Sequence, residues 1–151
     1  MEIAAPDTEA ASRLVELWLG LAESQRAYGS HLLVEPNREV IRETVLQHIV
    51  TGSVLVARDD EIVGFVTFSK QTDRYAKAMS RGLIENLYVQ PGRRGEGIGS
   101  ALLEAAQERL AEKGVAVVSL EVMATNEEAR RFYRRHGYGE HRLELEKRID
   151  Q

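Results

Sequence analysis

The sequence predicts an α/β domain built around a mostly antiparallel sheet. Three observations predict it. Segments with apolar residues at helical spacing alternate along the chain with segments of period-two or continuous apolar character. Glycine, proline or a short polar stretch marks most of the boundaries between them. Finally, 151 residues suit one compact domain, long enough to bury roughly 70% of the surface that the unfolded chain exposes. One domain is therefore expected over residues 1–151.

Taken in order, residues 1–4 read as a short strand. Pro6, Asp7, Thr8 and Glu9 then signal a helix start, with a capping oxygen and acid where the helix dipole favours it. Leu14, Leu17, Trp18, Leu21 and Tyr28 extend that helix to about Tyr28, and Gly29 ends it. After a loop over residues 29–36, Asn37 is positioned to cap a second helix whose apolar face carries Ile41, Val45 and Ile49 and which stops at Gly52. Residues 53–58 and 62–69 read as strands joined by a polar turn at Asp59, Asp60 and Glu61. A polar stretch over residues 71–81, expected to be mobile, leads to a strand over 82–89. A glycine-rich turn follows, then a helix over 100–113, a strand over 115–122, a helix over 126–136 and a closing strand pair over 138–142 and 143–148.

Composition excludes several chemistries. With no cysteine there can be no disulfide framework, thiolate zinc site, iron–sulfur cluster or cysteine nucleophile. The first ten residues lack the basic start and apolar core of a secretory signal, and no apolar run is long enough to span a bilayer, so a cytoplasmic protein without membrane partners is expected. A net charge of -4 argues against a general nucleic-acid binder.

The chemistry concentrates in the turn Arg93-Arg94-Gly95-Glu96-Gly97-Ile98-Gly99 between a strand and a helix. Its alternating glycines permit positive φ and let a ligand approach the backbone. The free N–H groups at the start of the next helix would complete a nest for phosphate oxygens. The alternative is a tight connection that simply needed glycine. A P-loop would require lysine after the glycines, and Gly99-Ser100-Ala101 supplies none. A dinucleotide fingerprint would place its glycines directly after the strand, and here residues 90–94 intervene.

The segment Leu87-Tyr88-Val89-Gln90-Pro91 with Arg94, Gly97 and Gly99 resembles the acetyl-CoA motif Q/R-x-x-G-x-G/A of GNAT-type N-acetyltransferases. Asn126, Ala129, Tyr133, Gly137 and Tyr138 keep the spacing of that family's second segment, N-x-x-A-x-x-x-Y-x-x-x-G-[FY]. The resemblance is most specific over residues 83–138 and implies a mixed, mostly antiparallel sheet, splayed at the cofactor site and flanked by helices on both faces. It implies acetyl-CoA as cosubstrate, no metal, and a primary amine as acceptor, on a small molecule or a peptide or protein; such chains often form homodimers. It further implies that Arg94, Gly95, Glu96, Gly97, Ile98, Gly99 and Ser100 hold the pyrophosphate. The main chain of Leu87, Tyr88 and Val89 would pair with the pantetheine arm beside a strand bulge, and Asn126 would bind a pantetheine carbonyl or cap its own helix.

Two catalytic residues follow from the same resemblance. Glu85 is the candidate base, with the parity of Leu87 and Val89 unless a bulge reverses it, or else a solvated or salt-bridged strand glutamate; Tyr133 is the acid that protonates the departing thiolate, or else packs in the core beside Phe132. Arg93, Arg130, Arg131, Arg134 and Arg135 are further candidates for CoA phosphates; the last four could instead line the solvated face of the last helix. The acceptor wall is expected around residues 28–35 and His141. Rival readings are transfer of another acyl group and a noncatalytic acyl-CoA-binding or sensory module on the same fold.

Overall fold

The structure, a computed structural model, describes residues 1–72 and 74–150. Among them are five strands: β1 (Glu2–Ala4), β2 (Val54–Asp59), β3 (Glu61–Lys70), β4 (Arg81–Val89) and β5 (Val117–Leu120). Four α-helices accompany them: α1 (Ala11–Arg26), α2 (Arg38–Thr51), α3 (Ile98–Glu112) and α4 (Glu127–Arg135). The strands form one sheet in chain order. The first four pair antiparallel and β5 joins β4 in parallel, which is the mixed, mostly antiparallel sheet expected.

The sheet is buried on both faces. Val54 and Val56 of β2 turn to one side and Leu55 and Ala57 to the other, none more than 2% exposed. On the first side α1 and α2 cover the sheet with Leu14, Leu17, Ile41 and Val45, packed against Phe65 and Tyr88. On the second side α3 lays down Leu102, Leu103, Ala106 and Leu110 over Val66, Phe68 and Ile84. This two-sided burial explains why β2 and β3 read as continuous apolar runs.

Several boundaries differ from the sequence expectation. Asp7 does cap a helix start, accepting from the Glu9 amide at 3.0 Å, but the turn it caps is a 3-10 segment over Thr8–Ala10. The first helix stops at Arg26 rather than Tyr28. Asn37 makes no cap; its side chain donates to the Leu33 carbonyl at 2.7 Å, and α2 follows a 3-10 turn over Glu35–Asn37. Gly52 terminates α2 as expected, with φ of 71°. Residues 71, 72 and 74–80 carry no helix or strand, and Asp73 lies outside the described residues.

The closing strand pair is a correction. Residues 138–150 form no strand. Leu143, Leu145 and Ile149 alternate as a strand would, yet they are 79–88% exposed. Alternation alone does not make a strand, because the backbone must also find a partner. Here the segment is held by side chains: Tyr138 donates to Gln107 at 2.6 Å, Glu140 pairs with Arg130 at 2.9 Å, and Glu146 pairs with His31 at 2.9 Å.

One close approach fixes how β3 and β4 meet. The β2–β3 register passes from Ala57 opposite Gly64 to Arg58 opposite Ile62, so Val63 is the extra residue of a bulge. A Cβ on Gly64 would sit 2.8 Å from the Tyr88 carbonyl oxygen, which is backbone and cannot swing aside. Gly64→Ala should therefore cost about 1–3 kcal/mol of stability in urea unfolding, the range for overpacking a close-packed site. An unchanged midpoint would show that the strands part there at no cost.

Candidate active site

The site begins with one surplus residue. Along the β3–β4 ladder the register passes from Phe68 opposite Ile84 to Thr67 opposite Asn86, and Glu85 has no opposite number. A bulge of this kind bends its strand and turns two successive side chains to the same face. Asn86 Nδ2 accordingly donates to Thr67 Oγ1 at 3.0 Å, and Glu85 lies 3.9 Å from His48 of α2. Both point to the α1/α2 side, whereas Leu87 and Val89 pack on the α3 side. Glu85 therefore does not share the parity of Leu87 and Val89 that an unbroken strand would give it.

The bulge coincides with the end of the parallel pairing. β5 bonds β4 only from Arg81 to Ile84. Beyond that point the two strands part. Gln90 donates to the Val63 carbonyl at 2.9 Å, so the alternation of an antiparallel pair turns the amides and carbonyls of Leu87 and Val89 away from β3, into the gap. The gap opens into a groove of about 520 Å³.

At the far end of β4 lies the glycine turn. Gly95 and Gly97 have φ of 81° and 83°, and a Cβ at either would meet no atom within 4 Å. Gly97 caps α3, and the first amide to bond inside that helix is that of Ala101, to the Gly97 carbonyl at 3.1 Å. The amides of Ile98, Gly99 and Ser100 are thus left at the positive end of the dipole, a cradle for anionic oxygens. The helix opens two residues earlier than the sequence suggested, which places Ile98 and Gly99 within its first turn. Glu96 is engaged elsewhere, holding Arg93 at 3.2 Å, and Arg93 also binds Asp59 at 2.8 Å. That guanidinium keeps the Asp59 carboxyl below its ordinary pKa range. Arg94 donates through Nε to the Val89 carbonyl at 2.9 Å and lies over the Tyr88 ring.

Helix α4 forms the opposite wall. Asn126 accepts from the Ala129 amide at 3.1 Å and so caps it, leaving its Nδ2 group free of that bond, and the residue lines the groove. Tyr133 also lines the groove, packed edge-on against Phe132 at 5.2 Å and near Tyr138 at 5.9 Å. Burial, and secondarily Tyr138, pushes the Tyr133 phenol up to about 12, so it holds its proton throughout the neutral range. Among the described residues no group of three metal-binding side chains comes together.

The structure thus brings Glu85, the main chain of Leu87, Tyr88 and Val89, the glycine turn with Ser100, Asn126 and Tyr133 to one groove. Tyr88 is otherwise a packing residue, 9% exposed, with its ring toward Phe65 and Gly20. Of the arginines, Arg93, Arg94 and Arg135 reach the groove; Arg130 is paired with Glu127 and Glu140, and Arg131 and Arg134 lie outside it. Tyr28 lines the groove as expected, but His141 does not, and Glu35 turns away to Arg38 at 2.9 Å. Sequence reasoning missed Ser24 and Gln25 of α1 and Met123, which also line it. The available signal was Ser24, a polar residue on the face of α1 that carries Leu17 and Leu21.

Comparison with known proteins agrees with this geometry. The chain is 43% identical over 82 residues to an uncharacterized N-acetyltransferase of Archaeoglobus fulgidus, covering 54% of this chain and 56% of that one. It is 35% identical over 125 residues to a mycothiol acetyltransferase of Sanguibacter keddieii, covering 78% of this chain and 38% of that one. The matches therefore span about half or less of these curated relatives. Among solved structures, a GCN5-related N-acetyltransferase from Ralstonia eutropha superposes with a TM-score of 0.77 at 22% identity, over 99% of both chains. An acetyl transferase described as such provisionally, from Pyrococcus furiosus, does so at 0.73 and 25% identity, over 98% of this chain and 100% of that one. Residues 13–138 match the sequence pattern of the acetyltransferase (GNAT) family, and the chain belongs to that family.

Proposed function

We propose that the chain is an N-acetyltransferase that moves the acetyl group of acetyl-CoA to a primary amine by direct attack in a ternary complex. One observation carries the reading: β4 and β5 part beside a glycine turn, with Glu85 and Tyr133 lining the same groove. The names of the relatives support it, including an aminoalkylphosphonate N-acetyltransferase of Salmonella typhimurium that is 36% identical over 84 residues.

The unpaired main chain of Leu87 and Val89 receives the amides of the pantetheine arm as an added strand would. The amides of the glycine turn and of Ile98, Gly99 and Ser100 hold the pyrophosphate, and Arg94 adds charge once it leaves the Val89 carbonyl. Asn126 can cap α4 through Oδ1 and still donate to a pantetheine carbonyl through Nδ2.

The attacking nitrogen must be neutral. An alkylammonium with pKa near 10.4 costs about 4 kcal/mol to deprotonate at neutral pH. Glu85, one water away, takes that proton. The amine then adds to the thioester carbonyl, and the tetrahedral adduct collapses with loss of the CoA thiolate. Tyr133, protonated throughout the neutral range, donates its phenolic proton to the sulfur, and the second proton shed by the nitrogen as the amide forms restores the phenol.

The test is release of free thiol from acetyl-CoA against a panel of amines, polyamines and peptides. Binding of acetyl-CoA without thiol release across the panel would instead favour a noncatalytic acyl-CoA-binding module. A faster rate with propionyl- or succinyl-CoA would correct the acyl group. Tyr133→Phe should lower kcat by about 10²–10⁴ with acetyl-CoA affinity nearly intact, the usual worth of a placed acid; unchanged turnover removes Tyr133 from the mechanism. Gly97→Glu should abolish CoA binding, measured by calorimetry, while circular dichroism reports a folded domain. Normal CoA affinity in that variant would falsify the phosphate cradle.

A further inference from the structure

His48 stands in the last turn of α2, behind Glu85, with a side chain only 12% exposed. Trp18 lies against its ring at a centroid distance of 6.1 Å, and Val45, Val54, Phe65 and Thr67 close around it. Its Nδ1 is 2.6 Å from Ser53 Oγ, and its Nε2 faces Glu85 Oε2 at 3.9 Å.

The surrounding hydroxyls fix which nitrogen carries the proton. Thr51 donates its hydroxyl to the Gln47 carbonyl at 2.9 Å, one turn back along α2. Its oxygen is therefore free to accept from the Ser53 hydroxyl at 2.8 Å. Ser53, having donated there, accepts from His48 Nδ1. Run to its end, the chain puts the proton of the neutral ring on Nδ1 and turns the Nε2 lone pair toward Glu85. In the reverse assignment Ser53 donates to Nδ1, and the 2.8 Å contact between Thr51 and Ser53 is then left without a hydrogen as long as Thr51 keeps the Gln47 carbonyl.

At 3.9 Å Nε2 and Oε2 are beyond hydrogen-bond reach, so a proton joins them only when the two side chains close to about 3 Å. We propose that His48 is a positioning residue for the transfer, acting through Glu85: the two share one proton, and the proton drawn from the acceptor ammonium passes on from Glu85 to Nε2. This rests on Glu85 as the base. The step balances without a redox partner. The ammonium N–H bond breaks as a bridging water passes a proton to Glu85; the Glu85 O–H bond then breaks as Nε2–H forms. The carboxylate is restored and the ring becomes an imidazolium; once the product has left, Nε2 hands the proton back through Glu85 to the water of the groove.

The chemical gain is one of matching. An ordinary imidazole titrates near 6.5 and an ordinary carboxylate near 4.3, so the ring stands about two units closer to an amine of pKa 10.4. Burial takes back part of this by lowering the His48 pKa, and the Glu85 carboxylate restores some of it. Of the elements packed on the ring, α1 presents Trp18, β2 Val54, β3 Phe65 and Thr67, and β4 Glu85. Among the described residues Glu85 is the ionisable group that faces it. Glu85 itself shares the groove with Tyr28, Tyr88, Tyr133, Glu121 and Glu128 and with Arg93, Arg94 and Arg135.

Nitrogen-15 NMR of the histidine rings in the full chain tests this without knowledge of the acceptor. The expected neutral form of His48 is the Nδ1–H tautomer, and its titration midpoint should fall by about half a pH unit or more in Glu85→Gln, since the carboxylate that favours the cation is gone. An Nε2–H tautomer, or a midpoint unmoved by Glu85→Gln, would overturn the proposal. The kinetic arm uses the best acceptor from the amine panel. A Glu85→Gln variant that turns over at the wild-type rate removes Glu85 as the base and the relay with it. A slowed Glu85→Gln with an unmoved His48 midpoint leaves the base in place and removes only His48.

Discussion

A single surplus residue in β4 organises the site. Opposite Thr67 and Phe68 the strand carries three residues, Ile84, Glu85 and Asn86, and the middle one has no partner. The bend this imposes coincides with the last bonded pair between β4 and β5, Ile84 with Leu120. Two consequences follow from the same geometric fact. The main chain of Leu87 and Val89 loses its neighbour, and Glu85 is turned out of the α3 core toward α2. Unpaired backbone groups are costly where water is excluded, so an opening of this kind persists only if it stays wet or is filled. Arg94 already satisfies one of the four groups concerned, the Val89 carbonyl. A ligand that takes its place must offer a donor of its own.

The opposite face of the sheet keeps the opening rigid. Trp18 stacks on Phe65 at 5.6 Å, and Phe65 meets Tyr88 at 6.4 Å. Tyr88 in turn presses on α1 at Gly20, where a Cβ would lie 2.9 Å from its hydroxyl oxygen. Helix α1, on one wall of the groove, is thereby set against β4 on another. Thr125 closes the arrangement by donating to the Tyr28 carbonyl at 2.8 Å, joining the end of α1 to the turn before α4. The groove is held by contacts on both its rims.

Much of this was legible in the sequence because it is local. The cradle depends on glycines at 95, 97 and 99 followed at once by a helix, and the acid depends on the Asn126-to-Tyr138 spacing within one helix and its stop. What was not legible depends on pairing. The resemblance implies a bulge, but its register, and so the parity of Glu85, is announced by no residue type; and His48 reaches Glu85 from 37 positions earlier in the chain. The segment after Gly137 shows the converse. Leu143, Leu145 and Ile149 have the period of a strand, but a period records which side chains share a face and not whether a neighbouring backbone is present to bond.

The charge distribution carries the last step. The sequence shows arginines gathered near the glycine turn in a chain of net charge -4, which suggests a positive field for a phosphate-rich ligand. In the fold part of that charge is spoken for. Arg93 is held by Asp59 and Glu96, and Arg130 by Glu127 and Glu140. Among the described residues that line the groove, Arg94 and Arg135 are the arginines without a carboxylate within 4 Å. A guanidinium already paired adds little field at a distance, and what remains is screened within about 8 Å at physiological salt. Main-chain amides suffer neither loss, because they point into the cradle and stay there. The proposed phosphate recognition therefore rests on the positive φ of Gly95 and Gly97 and on the first turn of α3, with Arg94 and Arg135 adding charge to it.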